Sequence, residues 1–151
     1  MNYRIEYTTS YSQIELVHDN LYLYNTKRTG NSFDESVKAK KLDNAGAFIL
    51  RGDDNEFLGG IVWHWLDDTP EVFVDYMFVS DKLRGQGWGR KLFAEFEKQV
   101  KAEGAEVAGV STNSFQAPEF YLKIGYKIIK EVPSPQPLVP ENIHYYYSKK
   151  L

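Results

Sequence analysis

A chain of 151 residues carries 18 basic and 21 acidic side chains, a formal net charge of −3, three histidines and no cysteine. That length fits one domain with a proper core, here residues 1–151, and is short for two. The charge argues against generic nucleic-acid binding, which shows a basic domain or stripe. The absence of cysteine excludes a disulfide framework, a thiolate nucleophile and Cys-type zinc sites, and His18, His64 and His144 lie too far apart to read as metal ligands.

The first residues, Met1 to Glu6, lack the apolar core of a signal peptide, and no run approaches the roughly 20 apolar residues of a membrane span. A cytoplasmic location without a membrane partner is the expectation. Tyr3 to Thr8 alternates and predicts a short strand. Ser12-Gln13-Ile14-Glu15 has the capping-box form, so a helix is expected from there to about Lys27, with Ile14, Val17, Leu21 and Tyr24 on one face and Thr29-Gly30 as its stop. His18 borders that face and reads as a packed histidine. Residues 31–44 mix charges without period and predict either a second short helix or a mobile loop.

Ala47 to Arg51 and Phe57 to Leu66 read as strands joined by a turn at 52–56, with Gly59-Gly60 marking a bend or a close backbone approach. Asp67 to Pro70 turns into Val72 to Val79, whose β-branched and aromatic residues predict a buried strand. Behind it come glycines at 85, 87 and 89 and then a helix, with Trp88, Leu92, Phe93, Phe96 and Val100 on its apolar face and Gly104 at its end. A strand, a glycine-rich turn and a helix leave aligned backbone N–H groups free at the positive end of the helix dipole, which is an anion site. A Cβ at Gly85, Gly87 or Gly89 would keep a phosphate from those amides.

The Walker pattern fails because Arg90-Lys91-Leu92 follows Gly89 where Lys-Ser/Thr is needed. The dinucleotide fingerprint fails because Arg90 stands where its third glycine belongs. Arg84, Arg90 and Lys91 supply local positive charge. Ala105 to Ser111 predicts a strand parallel to the one before the glycine loop, since a helical crossover returns the chain in the same direction. A short helix over 117–123 ended by Gly125, a strand over 126–132, an irregular proline stretch over 133–140 and a last strand over 144–149 complete the chain.

Arg84, Gly87 and Gly89 match the Arg/Gln-x-x-Gly-x-Gly/Ala signature of the GNAT N-acetyltransferases, which the chain resembles. Ala117, Phe120, Tyr121, Gly125 and Tyr126 match the family's second segment, Asn-x-x-Ala-x-x-Phe-Tyr-x-x-x-Gly-Phe/Tyr, although Ser114 stands where Asn is common and Asn113 comes one position early. The resemblance implies an α/β (α+β) GNAT fold, a central mixed, mostly antiparallel twisted sheet of six to seven strands flanked by helices and splayed between its two central parallel strands. It implies acetyl-CoA as cosubstrate, transferred directly to a primary amine of a small molecule or peptide, and leaves a homodimer open.

In that reading Arg84, Gly85, Gln86, Gly87, Trp88, Gly89 and Arg90 hold the diphosphate. Met77, Phe78 and Val79 serve the pantetheine arm and the oxyanion, and Asn113, Ser114 and Ala117 flank the cofactor. Tyr121 is the general acid. Glu71, thirteen residues before Arg84, is the base, with Asp75 and His64 as alternatives. A non-catalytic acyl-CoA-binding or sensor domain of the same fold is the alternative function.

Overall fold

The computed structural model describes residues 2–151; Met1 lies outside them. Strands β1 (Arg4–Thr8), β2 (Ala45–Arg51), β3 (Phe57–Trp65) and β4 (Glu71–Val79) pair antiparallel in sequence order. β5 (Val107–Asn113) joins β4 in parallel, and β7 (Ile143–Lys150) inserts between β5 and the edge strand β6 (Lys127–Pro133). The result is one seven-stranded sheet, ordered β1-β2-β3-β4-β5-β7-β6. Helix α1 (Tyr11–Thr29) packs on β3 and β4, α2 (Trp88–Ala102) covers β2 to β4, and α3 (Glu119–Lys123) precedes β6.

Helices on both faces explain why β3 is buried without alternation from Leu58 to Trp63. One core joins Phe48, Leu50, Trp63, Val72 and Val74 to Leu92, Phe93, Phe96 and Val100 of α2. The other joins Ala47, Ile49 and Val62 to Ile14 and Val17 of α1. Gly59 and Gly60 are the expected close approach. A Cβ on Gly59 would lie 2.4 Å from the Phe78 carbonyl oxygen, and one on Gly60 would lie 2.7 Å from Val17.

Several boundaries differ from those the sequence predicts. Helix α1 begins at Tyr11 with Ser10 at its N-cap, so Ser12 lies within the first turn and the capping box does not form. The amides of Gln13 and Ile14 donate to the Ser10 carbonyl, and the Tyr11 hydroxyl anchors the helix start to the Ala39 carbonyl at 2.6 Å. The helix runs to Thr29, where Gly30 at φ 80° sends its N–H to the Thr26 carbonyl. Residues 31–44 form no helix. Instead the segment is tied down by Lys40 N–H to the Tyr76 hydroxyl and by buried Ala39. Helix α3 starts two residues late because Ala117 is left-handed at φ 56° and Ser114–Gln116 make a 3-10 turn. Pro133 closes β6 as its last residue, a place an edge strand tolerates.

Two irregularities build the site. β4 and β5 pair only from Glu71–Val74 to Val107–Val110, and beyond that point they part. At the same place the β3–β4 register slips: Val62 faces Tyr76 and Trp63 faces Val74, leaving Asp75 as an extra residue. Such a bulge re-aims the remainder of its strand. Val72 and Val74 face the α2 core before it, and Met77 and Val79 do so after it, while Tyr76 and Phe78 turn to the α1 core.

Candidate active site

The turn from β4 into α2 presents main chain rather than side chains. Gly87 is the N-cap at φ 83° and, having no side chain, cannot satisfy the first amides of the helix. No acidic residue occupies the first turn. Gly85 (φ 77°) and Gly87 would both aim a Cβ into open space, with nothing within 4 Å. That is the cradle expected of an anion site: donors unblocked and dipole uncompensated. Gly89 has another reason to be glycine. Its Cβ would press to 3.0 Å from Met77 and 3.4 Å from Phe120, so it serves the close packing of helix on strand.

This loop opens on a cleft of about 630 Å³ between the parted strands. Met77, Phe78, Val79, Arg84, Gly85, Gly87, Trp88, Gly89, Arg90, Ala117 and Tyr121 line it, so the structure gathers most of the expected residues in one place. It adds Leu21, Tyr24 and Arg28 of α1 and Thr112, Phe115, Gln116 and Phe120, which the sequence reading did not assign to the site. A signal for the first group was present: Leu21 and Tyr24 continue the apolar face of α1 yet stay only half-buried, so that face ends over a cavity.

Gln86, Asn113, Ser114 and Glu71 do not line the cleft, and neither do the alternative bases Asp75 and His64. Gln86 turns back to the Lys82 carbonyl at 3.3 Å. Asn113 and Ser114 are consumed in a network tying β5 to the chain before β7. The Asn113 amide oxygen accepts from Asn142 (2.9 Å) and its nitrogen donates to Gln116 (3.0 Å), while the Ser114 hydroxyl donates to Asn142 (3.0 Å) and accepts the Ile143 N–H (3.1 Å). With their polar atoms spent on protein partners, these two residues position the cleft wall. Glu71 sits at the opposite end of β4 from Val79, about 26 Å along an extended strand. The structure therefore does not bring it to the glycine loop, and the thirteen-residue spacing is misleading because strand length, not residue count, sets the distance.

Asp75 and His64 lie at the fork instead. His64 Nδ1 is 2.7 Å from the Asp75 carboxylate, whose side chain is 10 % exposed. Burial holds the Asp75 carboxyl above its ordinary range, and the His64 hydrogen bond and the charge of nearby Lys40 only partly offset that. Asp75 is two residues, roughly 7 Å, from cleft-lining Met77. The bulge thus places a carboxylate beside the point where the strands separate.

Tyr121 packs its ring against Phe120 (5.2 Å), Tyr147 (5.2 Å) and Phe93 (5.7 Å). Burial raises its phenol, Tyr147 adds to the shift, and a hydrogen bond with Thr112 opposes it, so Tyr121 stays a protonated donor across the physiological range. Among the described residues no cluster of His, Cys, Asp and Glu could hold a metal ion, and no helix is long and apolar enough to cross a membrane.

The family model of the acetyltransferase (GNAT) family matches residues 12–126. Blasticidin-S acetyltransferase of Streptomyces morookaense is 33% identical over 112 residues, 71% of this chain and 77% of that protein. An acetyltransferase structure from Bacillus cereus ATCC 14579 superposes with a TM-score of 0.65 at 22% identity, covering 95% of both chains. A Bacillus anthracis str. Ames chain assigned as a streptothricin acetyltransferase, solved in complex with acetyl coenzyme A, superposes with a TM-score of 0.61 at 19% identity over 81% of this chain and 70% of that one. The seven-stranded sheet with one parallel pair splayed at its centre is the fold these structures share. With a family match over well over half its length, the chain belongs to the GNAT family of acetyltransferases, which use acetyl-CoA.

Proposed function

We propose that residues 1–151 form one catalytic domain that transfers an acetyl group from acetyl-CoA directly to a primary amine of a small molecule, in a ternary complex in the cytoplasm. One observation carries this reading: free amides of a glycine-capped helix and a half-buried phenol donor line the same cleft. The relatives named for blasticidin S and streptothricin support a small-molecule acceptor.

Acetyl-CoA supplies the thioester. Arg84, Gly85, Gly87, Trp88, Gly89 and Arg90 are the residues for its diphosphate, and Met77, Phe78 and Val79 offer main chain to its arm. As the amine nitrogen bonds to the carbonyl carbon, the carbon–sulfur bond breaks, and two protons must move. The amine proton goes to the Asp75 carboxylate, steadied by His64. The departing sulfur receives the Tyr121 hydroxyl proton, which burial keeps on the phenol until transfer.

Acetyl-CoA at about a hundredfold over its Kd is expected to stabilise the fold by about 2.7 kcal/mol, a rise in Tm of about 5–10 °C, and ATP is expected to do nothing. A thiol-release assay across a panel of amines then reads the transfer. Equal stabilisation by ATP overturns the reading, and binding without transfer to any amine would leave only an acyl-CoA-binding domain.

Asp75→Asn is expected to lower kcat about a hundredfold or more, the usual contribution of a general base. The stability effect runs the other way. Because the folded pKa of Asp75 is raised, its favourable contribution is complete below the unfolded value and is lost as pH rises through the folded one. Wild-type Tm relative to the Asn variant should therefore fall on going from about pH 4 to about pH 8; a constant difference would show that burial costs this carboxylate nothing.

A further inference from the structure

The mouth of the cleft holds two guanidinium groups on one phenol. Arg84 of the glycine loop donates to the Tyr24 hydroxyl at 2.7 Å, and Arg28, one turn along α1, donates to the same oxygen. Both also lie over the Tyr24 ring, at 4.3 Å and 4.6 Å from its centre. Arg84 is paired with Asp81 at 2.8 Å, whereas Arg28 forms no ion pair with a carboxylate among the described residues. Arg90 lines the cleft beside them.

Two like charges gathered on a neutral acceptor repel one another, and cation–π contact offsets this only in part. In a chain of net charge −3, this corner is locally positive. The last turn of a helix favours a cation in general, but exposed Lys27 serves that purpose equally, and only Arg28 reaches the cleft. Both guanidinium groups keep N–H donors to spare, since each offers five and the phenol takes one.

Resting on the acetyl-CoA reading above, we infer that Arg28 and Arg84, held together by Tyr24, form a second phosphate-binding subsite beside the glycine-loop amides, so that α1 contributes directly to recognition of the phosphorylated end of the carrier. Tyr24 is then a positioning residue, and the Arg28 side chain adds to the glycine-loop amides in distinguishing a phosphorylated carrier from a bare pantetheine thioester.

The test compares KM and Kd of wild type, Arg28→Ala, Arg28→Gln and Lys27→Ala for acetyl-CoA, acetyl-dephospho-CoA and S-acetylpantetheine. Loss of one partly exposed charge-assisted contact should weaken acetyl-CoA binding about five- to tenfold in both Arg28 variants, with kcat unchanged. S-acetylpantetheine should be unaffected by either variant, and Lys27→Ala should alter neither thioester. A loss for acetyl-CoA that spares acetyl-dephospho-CoA assigns the subsite to the 3′-phosphate, and a loss for both assigns it to the diphosphate. Unchanged affinity for acetyl-CoA, or an equal loss for S-acetylpantetheine, overturns the inference. Failure of the wild type to bind acetyl-CoA at all would instead overturn the functional reading beneath it.

Discussion

Gly87→Val is expected to abolish acetyl-CoA binding, raising Kd by at least about a hundredfold, while the protein still folds. Two charge-assisted hydrogen bonds lost from the cradle, at about 1.5–3 kcal/mol each, suffice for that factor. The effect is steric at the ligand. Nothing in the protein lies within 4 Å of where the Cβ would stand, so the added side chain enters only the space that opens on the cleft. A second cost is local: at φ 83° an L-residue is strained by about 1–2 kcal/mol, which corresponds to a drop in Tm of about 2–8 °C. Gly104→Val separates the two costs, because Gly104 has φ 105° and equally open surroundings at the far end of α2, away from the cleft. It should lose stability and keep its affinity. Calorimetric titration with acetyl-CoA reads both variants, and an unaltered Kd in Gly87→Val would remove the loop from the site.

Tyr121→Phe should lower kcat about a hundredfold to a thousandfold and leave KM for acetyl-CoA nearly unchanged. The ring contacts with Phe93, Phe120 and Tyr147 survive the substitution, and only the hydroxyl with its Thr112 partner is lost. Stability should accordingly fall by no more than about 1.5 kcal/mol. Because burial raises the phenol, it remains a donor well into the alkaline range, so the ratio of wild-type to variant kcat should be flat from about pH 6 to about pH 9. A ratio that collapses in that window, or a variant with full turnover, would show that the proton reaches the sulfur by another route.

Much of the glycine-loop side of the cleft was readable in the sequence. Arg84, Gly85, Gly87 and Gly89 occur consecutively with the strand and helix that present them, and Ala117 and Tyr121 follow in one short segment. Local chemistry makes such a site: free amides, missing Cβ atoms and a helix dipole all belong to neighbouring residues. The seven strands were legible for a similar reason, since their alternation and turn residues are local signals. The partners of Asn113 and Ser114 were not legible, because a polar side chain in sequence does not announce what it will bond. Asn142, almost thirty residues later, claims both.

The place of the carboxylates depended on geometry that no window of sequence contains. Glu71 and Asp75 are both acidic residues on β4, and choosing between them requires knowing where β5 leaves β4 and where β3 slips its register. Those are properties of strand pairing, decided by how three strands and two helices fill space together. Arg28 likewise met Arg84 only when α1 was laid across the sheet, bringing together side chains 56 positions apart in the chain. The sequence by itself determined the glycine-capped helix start and the phenol that follows it, because adjacent residues build them. Tertiary structure alone decided which carboxylate stands where the strands part and which cations line the cleft, because pairing, bulge and helix docking act between segments that carry no mark of one another.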